Sequence, residues 1–243
     1  MIILLAPSKT LDFETKAKIS DYTLPQLKSE SAKIIEELKK LSPTALKEQL
    51  KVSEKLAAEN HKRYQQFQLS HTTKNSKQAL LSYKGDVYRD IDAQNYSKAD
   101  WDFAQRHLRI LSGLYGILRP LDLIQPYRLE MKGKKQFWQT PLTKQMEKEL
   151  TEEKSNIILK LTSEEYFAPI QSKKLKAKVI SVNFKDRKKN KIIPIYSKIA
   201  RGTMANWIIK NKIADPADLK NFSEDGYRFE PAKSTETQLT FSR

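Results

Sequence analysis

A chain of 243 residues, 30% charged and 39% hydrophobic, can bury one large core, so a single α+β or mixed α/β domain over 1–243 is expected. No stretch is apolar and long enough to span a membrane, and the absence of cysteine excludes a disulfide scaffold and makes a reducing cytoplasm the simplest location. The formal net charge of +16 favours an anionic partner such as nucleic acid, a nucleotide or an acidic membrane surface.

Residues 1–7 are apolar, too short for a signal peptide and without a basic leader, so they predict a buried first strand. Leu24, Leu27, Ile34, Leu38 and Leu41 mark one helical face. Ser42-Pro43 has the form of a cap with proline at the first helical position, and helical character continues through Leu46, Leu50, Leu56 and Tyr64. Residues 79–83 predict a short buried strand ended by Lys84-Gly85-Asp86. Ser97 and Asp100 have capping-box spacing ahead of a helix that carries Trp101, Ala104, Leu108 and Leu111. Leu142, Met146 and Leu150 predict another helix, and 157–161 a buried strand. Residues 179–184 and 192–196 flank a polar tip, Lys185 to Lys191, and read as a hairpin. Ala200, Met204, Trp207 and Ile208 form a further helical face, and 227–229 and 239–241 are the last strands. Strands and helices mix without regular alternation, which fits α+β or irregular α/β better than a doubly wound sheet.

The most informative stretch runs from Leu108 to Asp122. Gly113 and Gly116, two of only six glycines, interrupt an apolar run behind a predicted helix. Glycine lets backbone amides approach another molecule closely, and Arg106, Arg109, Arg119 and Arg128 flank the turn with groups that bind phosphate bidentately. One reading is a helix-hairpin-helix over about 98–124, with Arg109, Ser112, Gly113, Leu114, Tyr115, Gly116, Arg119 and Arg128 contacting DNA. The other is a helix C-cap and a tight turn, favoured by a glycine spacing one residue too long and by Pro120, which opposes helix at Arg119. A second basic region, 173–201, sets eleven Lys or Arg against Asp186, and its centre also reads as a solvated hairpin tip.

No Walker loop, dinucleotide fingerprint or nucleophile elbow is present. His61, His71 and His107 are scattered, so neither a cofactor nor a stoichiometric metal is expected; Asp86 and Glu164 are the first carboxylates to inspect for a metal. Polar residues placed after apolar strands remain. Lys9 follows the first strand, Lys84 the 79–83 segment, and Glu164 and Tyr166 the 157–161 strand. Thr162 and Glu165 also have capping-box spacing. Lys198 and Arg201 sit near a helix start, where two cations oppose the dipole unless they face an anionic ligand. Lys9, Glu164 and Tyr166 are therefore candidate catalytic groups, and Lys9, Lys84, Lys198 and Arg201 candidate anion-binding groups of one cleft.

Five segments in order, Ala6-Pro7-Ser8-Lys9-Thr10-Leu11, Lys84-Gly85-Asp86-Val87-Tyr88, the block 108–131, Ser163-Glu164-Glu165-Tyr166-Phe167 and Lys198-Ile199-Ala200-Arg201-Gly202, resemble the YaaA family of bacterial peroxide-stress proteins. The resemblance implies a single domain of unusual, cantaloupe-like architecture with a basic cleft and a helix-hairpin-helix element. It also implies binding to double-stranded DNA and a role in limiting iron-dependent peroxide damage. Two functions stay open on these residues: a DNA-binding protein that holds backbone phosphates with little sequence preference, and an enzyme acting on a nucleotide or nucleic acid in the same cleft.

Overall fold

Four apolar residues, Ile2–Leu5, form β1, with every side chain shielded from solvent. The computed structural model describes residues 1–243. β2 (Leu108–Ser112) and β3 (Gly116–Leu118) form a hairpin, and β2 pairs parallel with β1. β4 (Ile157–Leu161) pairs parallel on the other side of β1, followed outward by β5 (Lys178–Lys185), parallel to β4. β6 (Arg228–Phe229) is an antiparallel edge on β7 (Gln238–Ser242), which lies parallel to β5. The sheet order is therefore β6-β7-β5-β4-β1-β2-β3. A parallel strand paired on both sides and covered on both faces reads as a continuous apolar run, as β1 does.

Between β1 and β2 the chain makes α1 (Lys28–Lys39), α2 (Pro43–Leu50), α3 (Glu54–Gln66) and α4 (Lys98–His107). α5 (Lys135–Glu152) follows β3 and packs on it; α6 (Pro194–Asn211) follows β5 and packs against β1, β4, β5 and α4. One hydrophobic core of 57 buried residues runs through both layers. This is an α+β domain built on a mixed sheet.

Local chemistry explains most boundaries. Ser42 and Ser53 each cap a helix, accepting from Ala45 N at 3.2 Å and Leu56 N at 3.4 Å. The helical stretch from 42 to 66 is thus two helices, broken at Lys51, whose φ is 51°. Ser97 and Asp100 form the expected reciprocal capping box. Other expectations change. α1 runs only Lys28–Lys39, so Leu24, Leu27 and Leu41 lie outside it. α4 stops at His107 because Leu108 pairs with Ile3, so Leu108 and Leu111 belong to a strand. Residues 79–83 are buried but form a helical turn, Ala79–Ser82, between two-residue strands. Residues 192–196 do not return as a hairpin arm: the pairing ends at the Asp186–Lys191 bridge, and Pro194 starts α6. Finally, Ser163, not Thr162, precedes the helical turn Glu164–Phe167, and no side chain caps it.

The glycine turn differs most from the helix-hairpin-helix expected over 98–124. Residues 108–118 are strand, turn and strand, and Gly113, Leu114, Tyr115 and Gly116 are buried. Ser112 Oγ accepts from the amides of Leu114 and Tyr115 at 3.2 and 3.0 Å, so these turn amides are satisfied inside the protein. Arg109 is fully buried as well. Its Nε donates to Glu149 Oε2 at 2.7 Å and its Nη1 to the carbonyls of Gln105 and Leu108 at 2.9 and 2.8 Å. Arg119 is tied to Glu149 and Glu152 at 3.3 and 3.0 Å. These arginines clamp α5 onto the sheet; the donors of Arg109 are turned inward, and Arg119 is held through Nη2 with its Nε buried and unpartnered.

Burial alone would raise the pKa of Glu149, but the charge and hydrogen bonds of Arg109, with Arg119 and Gln145, together outweigh it and hold the carboxyl below its ordinary 4.5. A depressed carboxylate contributes stability above its unfolded pKa, and that contribution is lost as pH falls through the folded one. Glu149→Ala, which strands a buried guanidinium, should cost about 3–5 kcal/mol and lower Tm by roughly 10 °C. Wild-type stability should also decline below about pH 4.5, with a shallower acid slope in the variant. Thermal melts between neutral and acid pH check both; an unchanged Tm would mean that the pair contributes nothing net.

Candidate functional site

From β1 the chain crosses to β2 on one side, and later from β4 to β5 and β7 on the other. In chain order the five parallel strands lie as second, first, third, fourth and fifth, so the order reverses between β1 and β4. Loops leaving the carboxyl ends of two such strands diverge and open a crevice, the usual ligand position in open α/β sheets.

A cavity of about 450 Å³ lies there. Ala6 to Thr10, just beyond β1, form one wall. Leu161, Ser163, Glu165 and Tyr166 follow β4, Gly85 to Val87 and Glu130 add loop residues, and Lys198 and Arg201 come from α6. The loops are pinned to each other: Ser8 Oγ donates to the Lys84 carbonyl, and Tyr88 OH donates to the Ala6 carbonyl at 2.8 Å. α6 approaches through Gly202, where an added Cβ would lie 1.7 Å from the Val87 carbonyl oxygen. Three cations, Lys9, Lys198 and Arg201, face three carboxylates, Asp86, Glu130 and Glu165, and Lys9 is ion-paired with Glu130. Arg201 Nε is buried without an acceptor in the protein, and burial lowers the pKa of this arginine. Burial also pushes the Tyr166 phenol well above its ordinary value, so at neutral pH it keeps its proton. Close by in sequence, Thr162 Oγ1 and Ser197 Oγ are buried and unpartnered.

Lys9 and Glu130 also border a second cavity of about 460 Å³. Its other polar walls are Lys51 and Gln49 at the end of α2, and Arg128, Lys132 and Lys134, so five cations stand around it against one carboxylate. The segment carrying Arg128 is held from both sides. Tyr64 of α3 donates its hydroxyl to the Arg128 carbonyl, and the glycine turn lies against the next residues: a Cβ on Gly113 would be 2.4 Å from the Leu129 carbonyl oxygen. α2 and α3 pack together across a three-residue turn, 51–53, closed by a bond from Val52 N to the Lys47 carbonyl at 3.2 Å.

Of the residues singled out in the sequence, Lys9, Tyr166, Lys198 and Arg201 come together in the first cavity, and Arg128 lies in the second. Lys84 is exposed nearby but gives only its carbonyl to the Ser8 bond. Glu164 turns away to Lys160, at 2.7 Å, and Glu165 takes the place expected of it. Adjacent residues at a helix start point about 100° apart, so only one of the two glutamates can face the crevice. No three His, Asp or Glu side chains gather as a metal site would require, and Asp86 and Glu164 do not meet in one. Lys51, Glu130, Lys132 and Lys134 also line these cavities, although no binding motif in the sequence singles them out. The signal for Lys51 was present in Ser42 and Ser53, two cap residues one short helix apart, which mark a helical hairpin.

These features define a mixed-sheet α+β protein with a charged crevice at the carboxyl ends of its parallel strands. None of its helices is long and apolar enough to cross a membrane. A family model described as peroxide stress protein YaaA matches residues 1–233, and the chain belongs to that family.

The Gly202 contact is backbone against backbone, so no side chain can yield. Gly202→Ala should destabilise by about 3 kcal/mol, whereas Gly133→Ala, with open space around its Cα, should change stability by less than about 0.5 kcal/mol. Urea titrations of the two variants make the comparison; equal midpoints would show that α6 is free to move off the crevice.

Proposed function

We propose that the chain serves the peroxide-stress role of its family by binding duplex DNA through backbone phosphates, and that this limits iron-dependent oxidative damage indirectly. The observation that carries the reading is the second cavity, where Lys9, Lys51, Arg128, Lys132 and Lys134 converge; Lys9 is paired with Glu130 and Lys134 with Glu37, and the other three cations have no carboxylate partner. A helical hairpin borders it. α3 begins just past Lys51, so the turn between the two helices places this lysine at the cavity wall. On this reading the helix-hairpin-helix element is 43–66 and not 98–124, and Lys198 and Arg201 extend the basic cleft beyond Lys9. Contacts of this kind position a duplex without reading its bases, so little sequence preference is expected. Arg109 takes no direct part, because it is fully buried and bonded to Glu149 and two backbone carbonyls, and Arg119 is held to Glu149 and Glu152 through Nη2.

Fluorescence anisotropy with two unrelated duplexes tests the proposal. With about five phosphates neutralised, affinity should fall several hundredfold between roughly 50 and 200 mM salt, and equally for both sequences. The double variant Lys51→Ala/Lys132→Ala should bind more weakly at low salt and lower the salt slope by about two. Lys188→Ala/Lys189→Ala, at the exposed 186–191 turn, should change neither. A flat salt response, or equal losses from both pairs, would overturn the reading.

A further inference from the structure

We propose that the crevice between the carboxyl ends of β1 and β4 is a binding site for a nucleoside monophosphate unit, taken either as the free nucleotide or as one residue of a nucleic-acid strand. This deepens the phosphate-binding reading of the cleft, although the free-nucleotide case stands without any duplex.

Size, charge pattern and one unpaired donor together define the ligand. A volume of about 450 Å³ is that of a small-molecule site. A bare phosphate would suit Lys198 and Arg201 but would also meet Asp86 and Glu165. The ligand that satisfies both sets is anionic at one end and rich in hydrogen-bond donors at the other, as sugar hydroxyls and exocyclic amines are. Arg201 marks the anionic end: its buried Nε has no acceptor in the protein, and a guanidinium binds phosphate oxygens through several parallel donors. Burial disfavours the charge of this guanidinium, and an anion beside it offsets that cost. The half-buried ring of Tyr166, with Pro7 and Val87, supplies the flat apolar surface on which a base can stack.

Isothermal titration of the purified protein with each of the four common nucleoside 5′-monophosphates, ribose 5-phosphate and inorganic phosphate tests the site. At least one nucleotide should bind saturably and at least tenfold more tightly than the other two compounds. Arg201→Met should weaken that binding about tenfold or more, and Tyr166→Leu should bring the nucleotide to the level of ribose 5-phosphate. Should Arg201→Met fail to fold in a thermal melt, Lys198→Ala, an exposed position, carries the same test. A duplex with one bulged 2-aminopurine distinguishes the sources. A fluorescence change on binding that the nucleotide reverses assigns the strand, and no change assigns the free nucleotide. Nucleotides that bind no better than phosphate, or folded variants with undiminished affinity, would overturn the proposal. Loss of duplex binding in Lys51→Ala/Lys132→Ala with nucleotide binding intact would separate this site from the phosphate track.

Discussion

The fold hangs on the double parallel pairing of β1. It pairs with β2 on one side and β4 on the other, so two segments that each lie more than a hundred residues further along the chain are registered on one short strand. Such pairing requires burial on both faces, and helices α4 and α6 supply part of that cover. The same pairing creates the crevice. Because the chain leaves β1 and β4 in opposite directions, no connection can close over their carboxyl ends. A polar site is thereby a consequence of strand order, before any particular side chain is considered.

What gives the site its shape is close contact between backbones. Gly202 brings α6 onto the Val87 carbonyl, and Gly113 brings the β2–β3 turn under the Leu129 carbonyl. Both carbonyls belong to segments that line the cavities, so the glycines set wall positions without touching a ligand. The buried Arg109–Glu149 pair acts at one further remove, fixing α5 against the sheet beside that turn. The arginines and glycines near position 110 therefore matter to the cleft as its support.

Elements with a local cause were legible in the sequence. β1, the Ser42 and Ser97 caps, β4, the α6 face and the two C-terminal strands follow from apolar runs and capping chemistry. Those with a distant cause were not. Leu108 to Leu111 keep helical spacing, yet the partners waiting on Ile3 to Leu5 make them a strand. Ala79 to Ser82 form too short an apolar run for periodicity to separate strand from helix. The parallel order was hidden because α1, α2, α3 and α4 all fall between β1 and β2, so strand and helix never alternate in a simple rhythm. At the site, Lys9 and Tyr166 could be named because each follows a strand; Lys198 and Arg201 were expected in a first helical turn, but α6 begins at Pro194, so both lie beyond it and face the crevice from the helix body. Glu165 could not be chosen over Glu164, since that choice depends on the rotation of one helical turn and on Lys160 claiming its neighbour.

Lys9 is the residue through which the two cavities are joined. It borders both, and its ion pair with Glu130 lies where they meet, with the two side chains 58% and 36% exposed. A pair this accessible contributes about 0–1 kcal/mol, so an arriving phosphate can take the lysine from the glutamate at little cost. The released Glu130 then faces the remaining cations, Arg128, Lys132 and Lys134 on one side and Arg201 and Lys198 on the other. An anion in one cavity consequently alters the charge balance of the other through a single side chain, without movement of the sheet. On the reading of one cavity as a phosphate track and the other as a nucleotide site, occupation of each changes the affinity of its neighbour by the same factor, because linkage between two binding equilibria is reciprocal.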